Sequence, residues 1–145
     1  MKENRSLIKY LLLNLITVGI YSLFFWSCYA KDMNTMCAGD GRKTRGVIGR
    51  ILLSAVTLGI YELVWQYKAG DRIAANCGKM GVAVNVTGGS VLLWSTVGIL
   101  LFGIGPLVAV RKLIRGINAL SAAYNRGSAR NAGTTVNVNI VTNAA

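Results

Sequence analysis

The chain has 145 residues, of which 53% are apolar and 14% charged, and 16 Lys and Arg against 5 Asp and Glu give a net charge of +11. That is one domain's worth of chain with too little polar surface to cover a water-facing core, which argues against an ordinary soluble domain and for a membrane-embedded one. With no His, His-ligated metal sites, Ser-His-Asp triads and Cys-His dyads are excluded, and Cys28, Cys37 and Cys77 lack the number and C-x-x-C spacing of a disulfide framework or zinc site.

The N-terminus, "MKENRSLIKYLLLNLITVGIY", sets basic residues before an apolar run in the manner of a signal peptide. No A-x-A site follows, and the same pattern returns at residue 47, so the segment is expected to stay in the mature protein. Ile8 to Tyr21 and Ile48 to Tyr61 align without gaps and agree at half of fourteen positions, which marks an internal repeat. Each copy interrupts its apolar run with Thr-x-Gly, at Thr17 and Gly19, then at Thr57 and Gly59. A degenerate third copy is read in "WSTVGILLFGIGPLVAVRKL", with Thr96 and Gly98 as the break and Pro106 restarting the helix. The units are placed at 6–37, 46–77 and 90–122 of one membrane domain over 1–125, followed by a linker and tail over 126–145.

Between the first two units, "GDGRKT" has Arg42 where a phosphate loop requires Gly, and it reads as a polar Asp-Gly turn. "VAVNVT" at 82–87 and "TTVNVNIVT" at 134–142 alternate in the manner of short strands that could pair with each other or with a neighbouring subunit.

Two topologies suit the repeated break. As spans, Tyr10 to Ala30 and Val91 to Val110 give 21 and 20 uncharged residues, but the 17 residues from Ile51 to Tyr67 include Glu62, and the positive residues divide only six against ten across the membrane. As re-entrant hairpins, all 16 positive charges fall on one face, although arms of about ten residues reach only about 15 Å. Repetition together with the charge pattern favours broken or re-entrant helices, and the fold class is an all-α integral membrane protein.

The units "LITVGIYSLFFWSCYAKDMN" and "AVTLGIYELVWQYKAGDRI" resemble a bacterial family of small membrane proteins known only as a domain of unknown function, with tandem T-x-G-I-Y…W…K segments. Thr17, Gly19, Ile20, Tyr21, Trp26 and Lys31 carry the resemblance in the first unit, and Thr57, Gly59, Ile60, Tyr61, Trp65 and Lys68 in the second. The third keeps Thr96, Gly98 and Ile99 but lacks the Tyr and Trp. The resemblance implies an integral membrane protein of bacteria and no particular reaction.

Glu62 is the only charge between Arg50 and Lys68, so it is the candidate intramembrane functional residue, or else a carboxylate paired with a nearby cation. Trp26, Tyr29, Trp65 and Tyr67 precede Lys31 and Lys68 in the order expected of interfacial anchors. Lys31, Lys68, Arg111, Lys112 and Arg115 read as contacts to anionic lipid head groups, with Asp32 and Asp71 pairing locally with Lys31 and Arg72. With no cofactor loop, metal constellation or nucleophile-base pair, a non-catalytic structural role is expected: a self-associating, membrane-organising protein of the bacterial cytoplasmic membrane. Its partners would be the bilayer and copies of itself, with no nucleic acid, small-molecule substrate or cofactor. The alternative is an oligomeric ion-conducting or permeabilising pore around Glu62.

Overall fold

The computed structural model describes residues 1–100 and 104–143, and the side chains of 1–98 and 104–131. Its helices are α1 (Leu7–Ile16), α2 (Ile20–Met36), α3 (Val47–Val56), α4 (Ile60–Lys79), α5 (Gly88–Leu100) and α6 (Ile104–Asn143), with a 3-10 turn at Ala38–Asp40.

The Thr-x-Gly segments reverse the chain. Tyr10 of α1 packs against Phe25 of α2, ring centroids 4.7 Å apart, and Trp26 Nε1 donates to the Tyr10 hydroxyl at 3.1 Å, which folds the two arms onto each other. Arg50 of α3 reaches Glu62 of α4 in the same way. The three-span reading is thereby corrected: among the described residues no helix is long and apolar enough to cross a membrane. Tyr10 to Ala30 is a hairpin, because consecutive left-handed residues at 18 and 19 cannot continue a right-handed helix.

The register of contacts sets the hairpins side by side. Trp26 and Trp65 meet with centroids 5.4 Å apart, and Asn34 meets Arg72, so α2 and α4 run in parallel away from apices at one end. Gly70 approaches Val91 while Ser95 bonds Gln66, so α5 runs antiparallel to α4 and ends at that same apical end. The third break does not fall where expected: Thr96 and Gly98 lie inside α5, and by Gly105 the chain has turned back, since Gly105 packs on Gly98 and on the Trp94 carbonyl. Thr96 Oγ1 bonds the Leu92 carbonyl, as Thr17 does that of Leu13, yet Gly98 is not in the left-handed region and the helix runs on. Gly98 serves packing, since a Cβ there would stand 2.0 Å from the Gly105 Cα. Pro106 is the third residue of α6, where a missing N–H costs nothing.

The core lies away from the apices. Trp26, Tyr29 and Met33 of α2, Trp65, Ala69 and Ile73 of α4, and Leu113, Ile117 and Leu120 of α6 are buried together, each set recurring at helical spacing. No strand forms among the described residues, which corrects both strand expectations. Residues 82–87 are irregular and bury Val86 against Gly116 rather than pairing an edge, and 134–142, with the presumed linker before them, continue α6.

Candidate functional site

Each of the first two apices is closed by the same short set of hydrogen bonds. The Gly19 N–H donates to the Asn14 carbonyl at 2.8 Å, and Thr17 Oγ1 donates to the Leu13 carbonyl at 2.7 Å while accepting from the Tyr21 N–H at 2.9 Å. Forty residues on, Gly59 donates to Ser54 at 2.7 Å and Thr57 repeats both hydroxyl bonds at the same distances. The six-to-one bond is that of a Schellman closure, in which the residue before the last donor takes the left-handed conformation, usually as Gly. Here Val18 (φ 49°) and Leu58 (φ 51°) occupy that position. Side chains adopt it at a cost of roughly 1–2 kcal/mol, least unwillingly as Asn or Asp, and a β-branched residue there is an outlier. Both side chains point away from the protein, 91% and 94% exposed.

The strained pair tops a wider apolar surface. Neither α1 nor α3 contains a buried residue, and Leu15, Ile16, Ile20, Val56 and Ile60 are exposed around the apices. Trp94, Val97 and Ile104 add the third hairpin's share. Thr17, Gly19, Thr57 and Gly59 therefore stand at true reversals, and the structure does not bring Thr96 or Gly98 to one.

Glu62 does not face an open path. Arg50 holds its carboxylate in a fork, with Nε to Oε2 at 2.6 Å and Nη2 to Oε1, and Gln66 Nε2 adds a bond at 2.9 Å. The Arg50 guanidinium lies over the Trp65 ring at 4.1 Å and the Trp26 ring at 4.8 Å, two cation–π contacts that fix the pair between the first two hairpins. Of the four expected interfacial anchors, Trp26, Tyr29 and Trp65 are core residues and only Tyr67 is on the surface. The correction has a packing reason: these rings fill the junction of α2 and α4, where Tyr29 donates to the Leu113 carbonyl at 3.4 Å and burial pushes its hydroxyl well above its usual range.

At the far end is a polar centre that sequence reading missed. Arg72, 3% exposed, donates to Asp40 Oδ2 at 2.7 Å and Oδ1 at 2.9 Å, to Asn34 Oδ1 at 2.7 Å, to Thr44 Oγ1 at 2.8 Å and to the Cys37 and Arg42 carbonyls. Asn76 donates to Asp40 as well, at 3.0 Å. The Arg72 hydrogen bond holds the Asp40 carboxyl far below the usual carboxylate range. This centre anchors the 37–46 loop, whose Asp-Gly turn forms as expected, with the Arg42 N–H on Asp40 Oδ1 at 2.8 Å and Gly41 left-handed. Local pairing is corrected accordingly: Asp32 meets Arg5 and Asp71 meets Arg42, because in the folded chain these distant cations approach closer than the sequence neighbours.

Lys31, Lys68, Arg111 and Arg115 are exposed and Lys112 is half-buried, its ammonium on the Asn85 carbonyl at 3.5 Å. Cys28 is exposed, whereas Cys37 and Cys77 are buried and burial pushes both thiols up to about 11. Among the described residues no group of His, Cys, Asp and Glu could hold a metal ion.

One family model matches this chain twice, over residues 5–75 and 45–119, and it is that of a domain of unknown function (DUF4234). The chain belongs to that family. The two matches begin 40 residues apart, the displacement that also relates Gly19 to Gly59. No curated protein and no solved structure matches the chain.

Proposed function

Starting from a chain of this family, we propose a non-catalytic, membrane-organising protein that sits on one leaflet of the bacterial cytoplasmic membrane with its Thr-x-Gly hairpin apices in the hydrocarbon, and that associates with copies of itself. The observation that carries this reading is Val18 and Leu58: two aliphatic side chains held at a conformational cost, in left-handed positions, with no protein contact to repay it. A hydrocarbon environment repays it directly.

The spacing of charge supports the same placement. From the apices, exposed cations first occur at Lys9, Lys31, Lys68 and Arg111, about 10–17 Å along their helices. Half the hydrocarbon thickness is about 15 Å, so apices near the midplane would set these residues at or just below head-group level, within the reach of long basic side chains. Reversing backbone at that depth needs internal hydrogen bonds, and the Schellman closures with their Thr hydroxyls supply them. Apolar wedges in one leaflet would expand it relative to the other, which is the physical basis of the organising role. Glu62 lends the pore reading no support, since its carboxylate is taken by Arg50 and Gln66.

The test uses environment-sensitive dyes on single Cys at position 18 or 58, in the full chain reconstituted into vesicles. Quenching by acyl-chain spin labels with shielding from aqueous iodide is the expected result. Iodide quenching equal to that of a dye on a single Cys at the exposed position 127, far from the apices, would overturn the placement.

A further inference from the structure

We propose that the groove between α2 and α3 binds one anionic phospholipid, with its phosphate on Lys31, Lys43 and Arg45 and an acyl chain running toward the apices along Leu23, Ile51 and Ala55. The proposal rests on the leaflet-seated reading above and adds a defined lipid site to it.

The polar half of the groove is a hollow of about 790 Å³ between α2 and the 43–49 segment, lined by those three cations with Ser27 and Thr35. None of the three meets a carboxylate among the described residues. The acids that could neutralise them are already engaged: Asp32 with Arg5, Asp40 with Arg72 and Asp71 with Arg42. Three like charges lining one hollow without a counter-ion favour an anion between them, and a phosphate diester fits, taking a fork from Arg45 and point charges from the two lysines.

Below it, nearer the apices, a second hollow of about 420 Å³ is lined by Leu23, Trp26, Val47, Ile51 and Ala55, over the Arg50–Glu62 pair. Leu23, Ser27 and Lys31 follow at four-residue intervals and stand in one row on α2, apolar toward the apex and cationic at the far end. Lys31 lies about 17 Å from the apex along α2, and Arg45 just beyond the 10 residues of α3, about 15 Å of helix. Both arms thus bring cations to one level, with an apolar channel beneath, which is the shape of a lipid rather than of a free ion.

Small residues keep this junction open. A Cβ added at Gly46 would meet nothing within 4 Å, and one at Gly49 only the Arg45 Cδ at 4.0 Å. The next junction is closed, since a Cβ at Gly70 would stand 3.1 Å from Thr87 O and one at Gly88 2.6 Å from Tyr67 O. The repeat therefore provides one such groove and not two.

Native mass spectrometry of the full chain, released in mild detergent from vesicles of phosphatidylcholine with or without phosphatidylglycerol, tests the site. One phosphatidylglycerol retained per chain is expected, in preference to phosphatidylcholine. Lys43→Gln with Arg45→Gln should weaken retention about thirtyfold, each basic side chain contributing roughly fivefold. Gly49→Leu, which fills the groove without altering charge, should weaken it too, while Lys79→Gln with Arg126→Gln should not. Equal retention of both lipids, or equal loss in the Lys79/Arg126 pair, would overturn the site. Inorganic phosphate raising the melting temperature as much as phosphatidylglycerol would reassign it to a free phosphate. Vesicle flotation of the wild type keeps the two readings apart. A chain that floats without lipid selectivity loses only this site, whereas one that fails to float on either vesicle loses the leaflet placement itself.

Discussion

Val18→Asp combined with Leu58→Asp separates the fold from the membrane in one experiment. Both positions are left-handed, where Asp is several-fold better accommodated than Val or Leu, and neither side chain touches the protein, so folding in detergent should be unchanged or improved by up to about 1 kcal/mol per site. In the hydrocarbon the sign reverses. Replacing an aliphatic residue by Asp at the centre of a bilayer costs about 3–4 kcal/mol, so two sites cost about 6–8 kcal/mol, or at least about ten-thousandfold in vesicle affinity. Co-flotation with phosphatidylglycerol vesicles and melting in mild detergent measure the two effects on the same preparation. A double variant that floats as the wild type does would refute the argument, because the strained aliphatics would then contact nothing that rewards them. Loss of flotation together with loss of the melting transition would refute the other half, that the apices carry no folding contacts.

Three further outcomes follow from the same geometry. Arg72→Met strands the Asp40 carboxylate in the polar centre and should cost about 3–5 kcal/mol, read as a lower melting temperature. Because the folded Asp40 carboxyl sits below its ordinary value, the pair's contribution is complete above about pH 4 and drains away as pH falls through the depressed value; chemical denaturation across that range should show the decline in the wild type and not in Asp40→Asn. Gly98→Ala places a methyl 2.0 Å from the Gly105 Cα, and forcing α5 and α6 apart should lower stability by about 1–3 kcal/mol, whereas Gly78→Ala, with nothing within 4 Å, should not. Maleimide should modify Cys28 within the native protein and reach Cys37 and Cys77 only after unfolding, since these two are both buried and held as thiols, pushed up to about 11.

Local sequence determined the elements that depend on local chemistry. Thr17-Val18-Gly19 and its copy at 57–59 mark helix ends because Gly tolerates the left-handed conformation and Thr can bond both a carbonyl behind it and an amide ahead, and each of those bonds forms. The Asp40-Gly41 turn and a helix carrying Pro106 in its first turn were legible for similar reasons. The same reading misplaced the third break, because Thr96 and Gly98 carry the letters of the motif but Gly98 is used to seat one helix against another. The alternation at 82–87 suggested a strand, but a strand needs a partner edge and none is supplied.

Only the tertiary structure decided what those elements do together. Whether a broken helix bends or returns depends on packing across the hairpin, and it returns because Tyr10 meets Phe25 and Trp26 while Arg50 meets Glu62. Which aromatics face outward was equally undecided, since Trp26 and Trp65 are correctly spaced for a membrane boundary and equally well spaced to meet each other, as they do. Arg72 and Asp40 are 32 residues apart, and their pairing could not be inferred from spacing. Charge and hydrophobicity are written residue by residue, so the sequence fixes how much of each there is. Long-range register decides where they point, and here it sends the apolar apices to one end and pairs Asp32, Asp40 and Asp71 with other cations, leaving Lys31, Lys43 and Arg45 without counter-ions at the mouth of an open groove.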